Sequence, residues 1–433
     1  MPDALKAPMT IGAAEAGQLL APLSAYDHVA LAVSGGSDSV ALMVLVAGWV
    51  KLCPGAPKVT VLTVDHGLRA DAAGEAVTAG RWARALGLDH QTLQWQAARP
   101  ASGLQAAART ARYELMSDWC LANRAQVIVT GHTADDQAET VLMRLARGSG
   151  VDGLAGMMAE TVSPWPVVRP LLGITRARLR AVLAAAGHGW IDDPSNDDDE
   201  FERIRMRKAL AGLEPLGLTA GAIALSARRL ARAREALDLG ARALMDDAFV
   251  CHQTGFGEID LAAFMGAPEE LRVRVLQRLV WQFGDHGLAR MAALERVCDW
   301  IADGRGRART VSGCRIVRRR HQLILGREAG RIGRAPVALE GPGEGLETVW
   351  DRRFRVIVRG VKAGDELSLA PFCTISAAKK LNLGHEKRQI PAFVRDGLPV
   401  LLDRGEVHSV PHLGICGVNM NTRLSVDVRF MTH

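Results

Sequence analysis

The sequence predicts an α/β fold over residues 1–212, a doubly wound, mostly parallel sheet, followed by a mainly helical domain over 223–330 and a small α+β domain over 346–433. Three observations predict it. Apolar, β-branched runs alternate with helical segments through the first half of the chain. Stretches at 210–222 and 331–346, rich in glycine and carrying Pro215, Pro336 and Pro342, interrupt that pattern and read as linkers. Polar strings stand directly after three of the apolar runs, where an open parallel sheet binds its ligands.

The strand candidates are His28-Val29-Ala30-Leu31-Ala32-Val33, Val59-Thr60-Val61-Leu62-Thr63-Val64 and Gln126-Val127-Ile128-Val129-Thr130. Helical segments are expected at 39–49, 72–86, 104–122 and 134–146. Each crossover lays a helix across the sheet, so such strands are parallel and buried on both faces. Ala, Leu and Arg dominate from Ile223 to Ala243, and residues from about 223 to 302 are expected to be mainly helical. Runs such as Phe354-Arg355-Val356-Ile357-Val358 and Leu398-Pro399-Val400-Leu401-Leu402 suggest strands in the last segment.

The 433 residues allow two to four domains, and 48% apolar with 23% charged residues is ordinary globular composition. A net charge of +6 is too modest to establish a nucleic-acid partner without regard to where the charge lies. The seven cysteines include no C-x-x-C pair, which reads as reduced thiols rather than a zinc site or a disulfide frame. No leader and no membrane span is expected, so the chain reads as cytoplasmic.

Val33-Ser34-Gly35-Gly36-Ser37-Asp38-Ser39-Val40 leaves a strand and opens a helix. Gly35 and Gly36 permit backbone angles that aim successive N–H groups at one point. Ser34, Ser37 and Ser39 add hydroxyls, and the helix N-terminus adds partial positive charge. Such a loop seats a pyrophosphate, against the plainer reading of a serine-capped turn. Asp38 at its rim offers a carboxylate for Mg²⁺. Neither G-x-x-x-x-G-K-[ST] nor G-x-G-x-x-G after the first strand occurs, which speaks against a Walker-type or dinucleotide site.

Asp65-His66-Gly67-Leu68-Arg69 follows the second strand, where adenine and ribose would lie; a capping turn for the next helix is the alternative. Gly131-His132-Thr133-Ala134-Asp135-Asp136-Gln137-Ala138-Glu139-Thr140 follows the third. His132, Asp136 and Thr140 are spaced by four, as are Asp135 and Glu139, which lines the first turns of a helix. Acidic residues there suit the helix dipole; alternatively they bind metal or act as a base while His132 contacts phosphate or nucleobase. The spacing matches no standard zinc site. Arg109 and Arg112 share a helix face ahead of this strand and can meet a phosphate.

These three strings, in this order at three strand ends, resemble the tRNA(Ile)-lysidine synthetases, a family of PP-loop N-type ATP pyrophosphatases with an adenine nucleotide α hydrolase-like sheet. The second and third strings carry the specificity, because the first is shared across the superfamily. Arg169-Pro170-Leu171-Leu172, the string Trp190 to Asp197 and the string Phe201 to Arg207 look similar too, except that Ile204 stands where the family usually has Asn. Weaker matches lie at 306–313, 324–328 and 390–400.

The resemblance implies ATP and Mg²⁺ as cofactors, and a CAU-anticodon isoleucine tRNA and free L-lysine as substrates. ATP would adenylylate the C2 oxygen of the wobble cytidine; the lysine ε-amino group would then displace AMP, so that the tRNA reads AUA instead of AUG. On this reading Asp38, His132, Asp136 and Arg112 form the catalytic set. The loop Ser34, Gly35, Gly36, Ser37, Asp38 and Ser39, with Asp65, His66 and Arg109, holds the nucleotide. Glu139, Arg203 and Arg207 hold the substrate, and Asp38 and Asp136 hold the metal. Asp136 is equally a candidate acceptor for the lysine proton.

Arginines recur at 228, 229, 232 and 242, at 305, 307 and 309, at 315 and 318–320, and at 352, 353, 355 and 359. One such cluster is an ordinary solvated face; their recurrence points to phosphate contacts along an RNA. Among rivals, tRNA thiolation generally needs a cysteine pair that this chain lacks. Amidation of a small metabolite leaves the arginine-rich half without a task. A catalytically dead nucleotide-sensing or RNA-binding module is disfavoured by the intact Asp38, His132 and Asp136. The sequence leaves a homodimer open.

Overall fold

Val29, Ala30 and Leu31 are wholly buried, and their strand, β1 (His28–Ala32), lies inside a six-stranded sheet. The computed structural model describes residues 9–67, 71–96, 104–162, 166–192, 202–340, 345–375, 390–416 and 423–431. Leu68 and Arg69 of the second string, residues 193–197 of the string that starts at Trp190, and Phe201 lie outside the described residues. The chain forms two units, Met1–Arg234 and Glu235–His433.

The first unit runs α1 (Ala13–Leu20), β1, α2 (Ser37–Leu52), β2 (Lys58–Asp65), α3 (Ala72–Ala85), β3 (Asp89–Gln94), α4 (Leu104–Asn123), β4 (Val127–Thr130) and α5 (Ala134–Leu145). It continues with α6 (Val151–Leu154), β5 (Glu160–Thr161), β6 (Val167–Val168), α7 (Arg176–Ala185), α8 (Glu202–Leu213) and the start of α9 (Ala220–Ala248). The sheet order is β3-β2-β1-β4-β6-β5, parallel throughout except for β5 with β6. Alternate residues of β1 face opposite layers. Val29 and Leu31 pack with Val40, Met43, Ala79 and Leu183 from α2, α3 and α7. Ala30 packs with Met116 and Cys120 of α4. This is the doubly wound sheet that the alternating pattern predicts.

The sequence reading passes over β3 and β6. Asp89-His90-Gln91-Thr92-Leu93-Gln94 is polar because it is a sheet edge with no fully buried residue, and β6 is two residues long. The chain leaves β1 towards β2 on one side, and β4 lies on the other. The ends of β1 and β4 therefore frame the crevice where open α/β sheets bind ligands.

The second unit contains β7 (Phe249–His252), β8 (Phe256–Asp260), α10 (Leu261–Gly266), α11 (Glu269–Phe283), α12 (Met291–Asp303), β9 (Ala308–Val311), β10 (Cys314–Arg318) and β11 (Gln322–Arg327). There follow β12 (Val337–Ala338), β13 (Gly345–Trp350), β14 (Phe354–Arg359), β15 (Leu367–Pro371), α13 (Ala392–Arg395), β16 (Pro399–Asp403), β17 (Glu406–Val410), β18 (Ile415–Cys416) and β19 (Ser425–Phe430). Its sheets are ordered β7-β8-β11-β10-β9, β12-β15-β16-β17-β18 and β13-β14-β19. One core, with Phe264, Phe283, Ile316, Phe354 and Val400, runs through the helices and all three sheets.

Candidate active site

The loop from β1 to α2 is shaped by contacts that only glycine tolerates. Gly35 has φ +90°, and a Cβ there would stand 2.8 Å from Ile191 Cδ1. The Ile191 amide donates to the Gly35 carbonyl at 2.9 Å, so the segment after α7 closes over the loop. Ser39 is buried. Its hydroxyl donates to Gly36 O at 3.0 Å and accepts from the Ser34 amide at 3.2 Å, which ties the loop to the first turn of α2. Ser37 Oγ donates to Asp38 Oδ1 at 3.2 Å. A Cβ on Gly131 would lie 2.9 Å from the Asp38 carbonyl, so the end of β4 abuts this same turn and brings the third string beside the first.

Helix α5 opens with a reciprocal cap. Thr133 Oγ1 accepts from the Asp136 amide, and Asp136 Oδ2 accepts from the Thr133 amide at 2.9 Å. Asp135 turns the other way: its Oδ2 accepts from the Arg176 amide at 2.7 Å and fastens the start of α7. Arg176 then bridges the site. Its Nε lies 2.9 Å from Asp38 Oδ2 and its Nη2 lies 3.6 Å from Asp136 Oδ1. One turn deeper, the fully buried Glu139 accepts from Arg203 Nε at 3.1 Å and Arg207 Nε at 2.8 Å. Arg203 Nη2 also reaches Asp136 Oδ1 at 3.7 Å.

Burial raises the Asp38 carboxyl above its ordinary value and outweighs the opposing pull of Arg176. Burial alone would raise Asp136 as well, but Arg203, the Thr133 amide and Arg176 hold it below the usual carboxylate range. Burial pushes His132 down to about 4, with Arg169, Arg109 and Arg203 adding to the shift against Asp136. His132 is therefore a neutral imidazole at pH 7, with Nδ1 2.8 Å from Thr130 Oγ1.

Asp65 Oδ1 accepts from the Gly67 amide at 2.9 Å and shapes the turn after β2, with His66 inside that turn. Arg109 is exposed on α4, its guanidinium 5.5 Å from the Tyr113 ring centre, and Arg112 stands next to both. Ile204 is buried, unlike its neighbours Arg203 and Arg207, which are 38% exposed. Sequence reasoning misses Arg176, Arg169 and Ile191 as site residues. The last two lie inside the strings at 169–172 and 190–197, a signal that they matter; Arg176 has no local signal.

Mg²⁺ takes one or two carboxylates together with substrate phosphates and water. Asp38 Oδ2 and Asp136 Oδ1 both turn towards the Arg176 guanidinium beside the phosphate loop, a pair of carboxylate donors that would suit such an ion. Among the described residues no group of three or more His, Cys, Asp or Glu forms a fuller metal cage.

In the second unit Arg305, Arg307, Arg309, Arg315, Arg319 and Arg320 are exposed on and around β9 and β10. In the cluster at 352–359, Arg352, Arg355 and Arg359 are exposed as well, and Arg353 differs. Arg353 is buried, with Nε 2.8 Å from Asp351 Oδ2, and Arg355 forms a two-pronged pair with Glu347 at 2.6 and 2.9 Å. Arg353 thus serves internal pairing, which corrects its reading as an RNA contact, while the Arg355–Glu347 pair lies at the surface.

A family model described as the PP-loop domain matches residues 9–213. The tRNA(Ile)-lysidine synthase of Bradyrhizobium diazoefficiens is 45% identical over 294 residues, covering 66% of this chain and 81% of that one. The enzyme of the same name from Ruegeria pomeroyi is 42% identical over 375 residues, covering 82% and 84%. That from Wolbachia pipientis wMel is 30% identical over 408 residues, covering 91% of each. Among the described residues no single helix is long and apolar enough to cross a membrane.

Proposed function

This chain belongs to the tRNA(Ile)-lysidine synthase family, and from that premise we propose that it ligates lysine to C2 of the wobble cytidine of a CAU-anticodon isoleucine tRNA through an adenylylated tRNA. The observation that carries the reading is the crevice between β1 and β4, where Asp38 and Asp136 both face the Arg176 guanidinium beside the loop at 34–39.

The loop amides and the N-terminus of α2 seat the pyrophosphate of ATP. Asp38 and Asp136 would hold Mg²⁺, which would supply charge neutralisation for the pyrophosphate. Arg109 and Arg112 face phosphate oxygens from α4, and Asp65 and His66 border the nucleoside. Neutral His132 offers a hydrogen bond rather than a proton. The lowered pKa of Asp136 favours holding positive charge over accepting a proton from lysine. Glu139 aligns Arg203 and Arg207, whose half-exposed guanidiniums receive an anionic group of the substrate.

On this reading residues 1–212 are the catalytic domain and the segments 223–330 and 346–433 bind tRNA, the first of them through the exposed arginines of α9, β9 and β10. The reaction takes place in the cytoplasm. Pyrophosphate release from ATP by the purified chain, with and without lysine and this tRNA, tests the assignment. Incorporation of labelled lysine into the tRNA is expected; release that ignores the tRNA sinks the reading.

A further inference from the structure

Asp38 and Asp136 project from different helices, and each has one carboxylate oxygen engaged locally. Asp38 Oδ1 accepts from Ser37 Oγ at 3.2 Å, and Asp136 Oδ2 accepts from the Thr133 amide and hydroxyl at 2.9 and 2.8 Å. The two remaining oxygens converge on Arg176, at 2.9 and 3.6 Å, and among the described residues only the Asp136 oxygen has a second guanidinium in reach, Arg203 Nη2 at 3.7 Å. All three side chains are mostly withdrawn from water, at 19%, 15% and 17% exposure for Asp38, Asp136 and Arg176. Two such carboxylates repel unless a cation stands between them. The chain itself supplies that cation. Arg176 is the first residue of α7, and its backbone is pinned by the bond to Asp135. Its long side chain can therefore swing while the helix stays in place.

We propose that Arg176 is a built-in stand-in for the metal. It fills the seat between Asp38 and Asp136 while no nucleotide is bound, gives way when Mg²⁺ arrives with ATP, and turns its guanidinium onto a phosphate oxygen. The inference rests on the reading of Asp38 and Asp136 as metal ligands. Mg²⁺ needs carboxylate oxygens at about 2.0–2.1 Å in an octahedron, so guanidinium and metal cannot share this oxygen pair. A guanidinium released next to the loop is a forked donor for phosphate. The exchange would keep free metal out until nucleotide supplies further ligands, and would deliver a second positive charge when it does.

The test is Mn²⁺ binding to the full chain, followed by electron paramagnetic resonance without nucleotide, for wild type, Arg176→Gln, Asp38→Asn and the double variant. Arg176→Gln is expected to tighten binding of free Mn²⁺ by at least about tenfold. Its melting temperature should fall below wild type in EDTA and rise more than wild type in Mn²⁺. Asp38→Asn should cancel the gain. Arg176→Gln binding Mn²⁺ no better than wild type overturns the stand-in. The metal reading is judged separately, by whether Asp38→Asn changes the spectrum of bound Mn²⁺·ATP; an unchanged spectrum overturns that reading. A gain that survives Asp38→Asn places the metal elsewhere and overturns both. Should Arg176→Gln fail to fold even with Mn²⁺, Arg176→Lys replaces it, with binding of free Mn²⁺ tighter than wild type expected and equality with wild type overturning the proposal.

Discussion

Arg207 Nε lies 2.8 Å from Oε1 of Glu139, a carboxylate 1% exposed, while Arg203 Nε reaches the other oxygen at 3.1 Å. The pair of bonds ties α5 to α8 and sets both guanidiniums at the rim of the crevice. A carboxylate this deep is tolerated only while its partners hold it. Glu139→Ala should lower the unfolding free energy by about 2–4 kcal/mol, below the upper range for buried pairs because the arginines are 38% exposed. Glu139→Gln should lose less and raise the KM for lysine or tRNA. Urea unfolding measures the first effect, and a loss under about 1 kcal/mol would contradict it.

The role proposed for Asp38 lies in adenylylation, not in tRNA binding. Asp38→Ala should reduce tRNA-dependent pyrophosphate release by about 10²-fold or more and leave tRNA affinity nearly intact. Rapid-quench assays and filter binding on the same preparation separate the two. A parallel fall in both would mean that the substitution disturbs the fold.

What was legible in the sequence was what is local. β1, β2 and β4 lie between helices on both faces, so burial writes them as unbroken apolar runs. β3 is an edge, and its alternation of Asp89, His90, Gln91 and Thr92 resembles a loop. The phosphate loop and the α5 string are contiguous, and each shows its geometry in spacing alone. Arg176 is not legible, because its partners Asp38 and Asp135 are 138 and 41 residues away. Arg353 misleads in the opposite sense: in a chain rich in surface arginine, nothing marks the one that is buried on Asp351.

The exposed arginines of β9 and β10 should account for tRNA affinity. Arg318 is a poor probe, since its Nη1 approaches Gly304 O at 3.4 Å and its loss would disturb packing. Arg309, Arg315 and Arg319 are better ones. Replacing them with alanine should weaken binding across tRNA sequences and reduce the salt slope by about 1 per lost phosphate contact. Arg353→Ala should instead lower stability. Titrations at several salt concentrations test this, and an unchanged slope in the triple variant would remove this strand pair from the interface.

His132 should make stability depend on pH. Its folded pKa, about 4, lies below its ordinary 6.5. Below pH 6.5 the unfolded chain therefore gains a proton that the folded chain refuses, and stability falls as pH drops from 6.5 towards 4. Between pH 7 and pH 5 this group should account for about 2 kcal/mol. His132→Gln should be correspondingly less sensitive over that range, and equal slopes for the two proteins would show that the native imidazole titrates at its ordinary pKa.

Gly35 and Ile191 should be energetically coupled. Gly35→Ala forces an L-residue to φ +90° and drives its Cβ to 2.8 Å from Ile191 Cδ1. The left-handed backbone costs about 1–2 kcal/mol, and overpacking adds at least about 1 kcal/mol. Ile191→Ala relieves the second penalty and leaves the first. The double variant should therefore be more stable than the sum of the single effects allows, by about 1 kcal/mol, and should bind ATP better than Gly35→Ala alone. Strict additivity would mean that the loop is shaped by its own backbone, with Ile191 merely resting on it. Coupling would show that the segment after α7 is part of the phosphate seat, so that one stretch of chain carries both Ile191 over the loop and, at its helical start, Arg176 between the carboxylates.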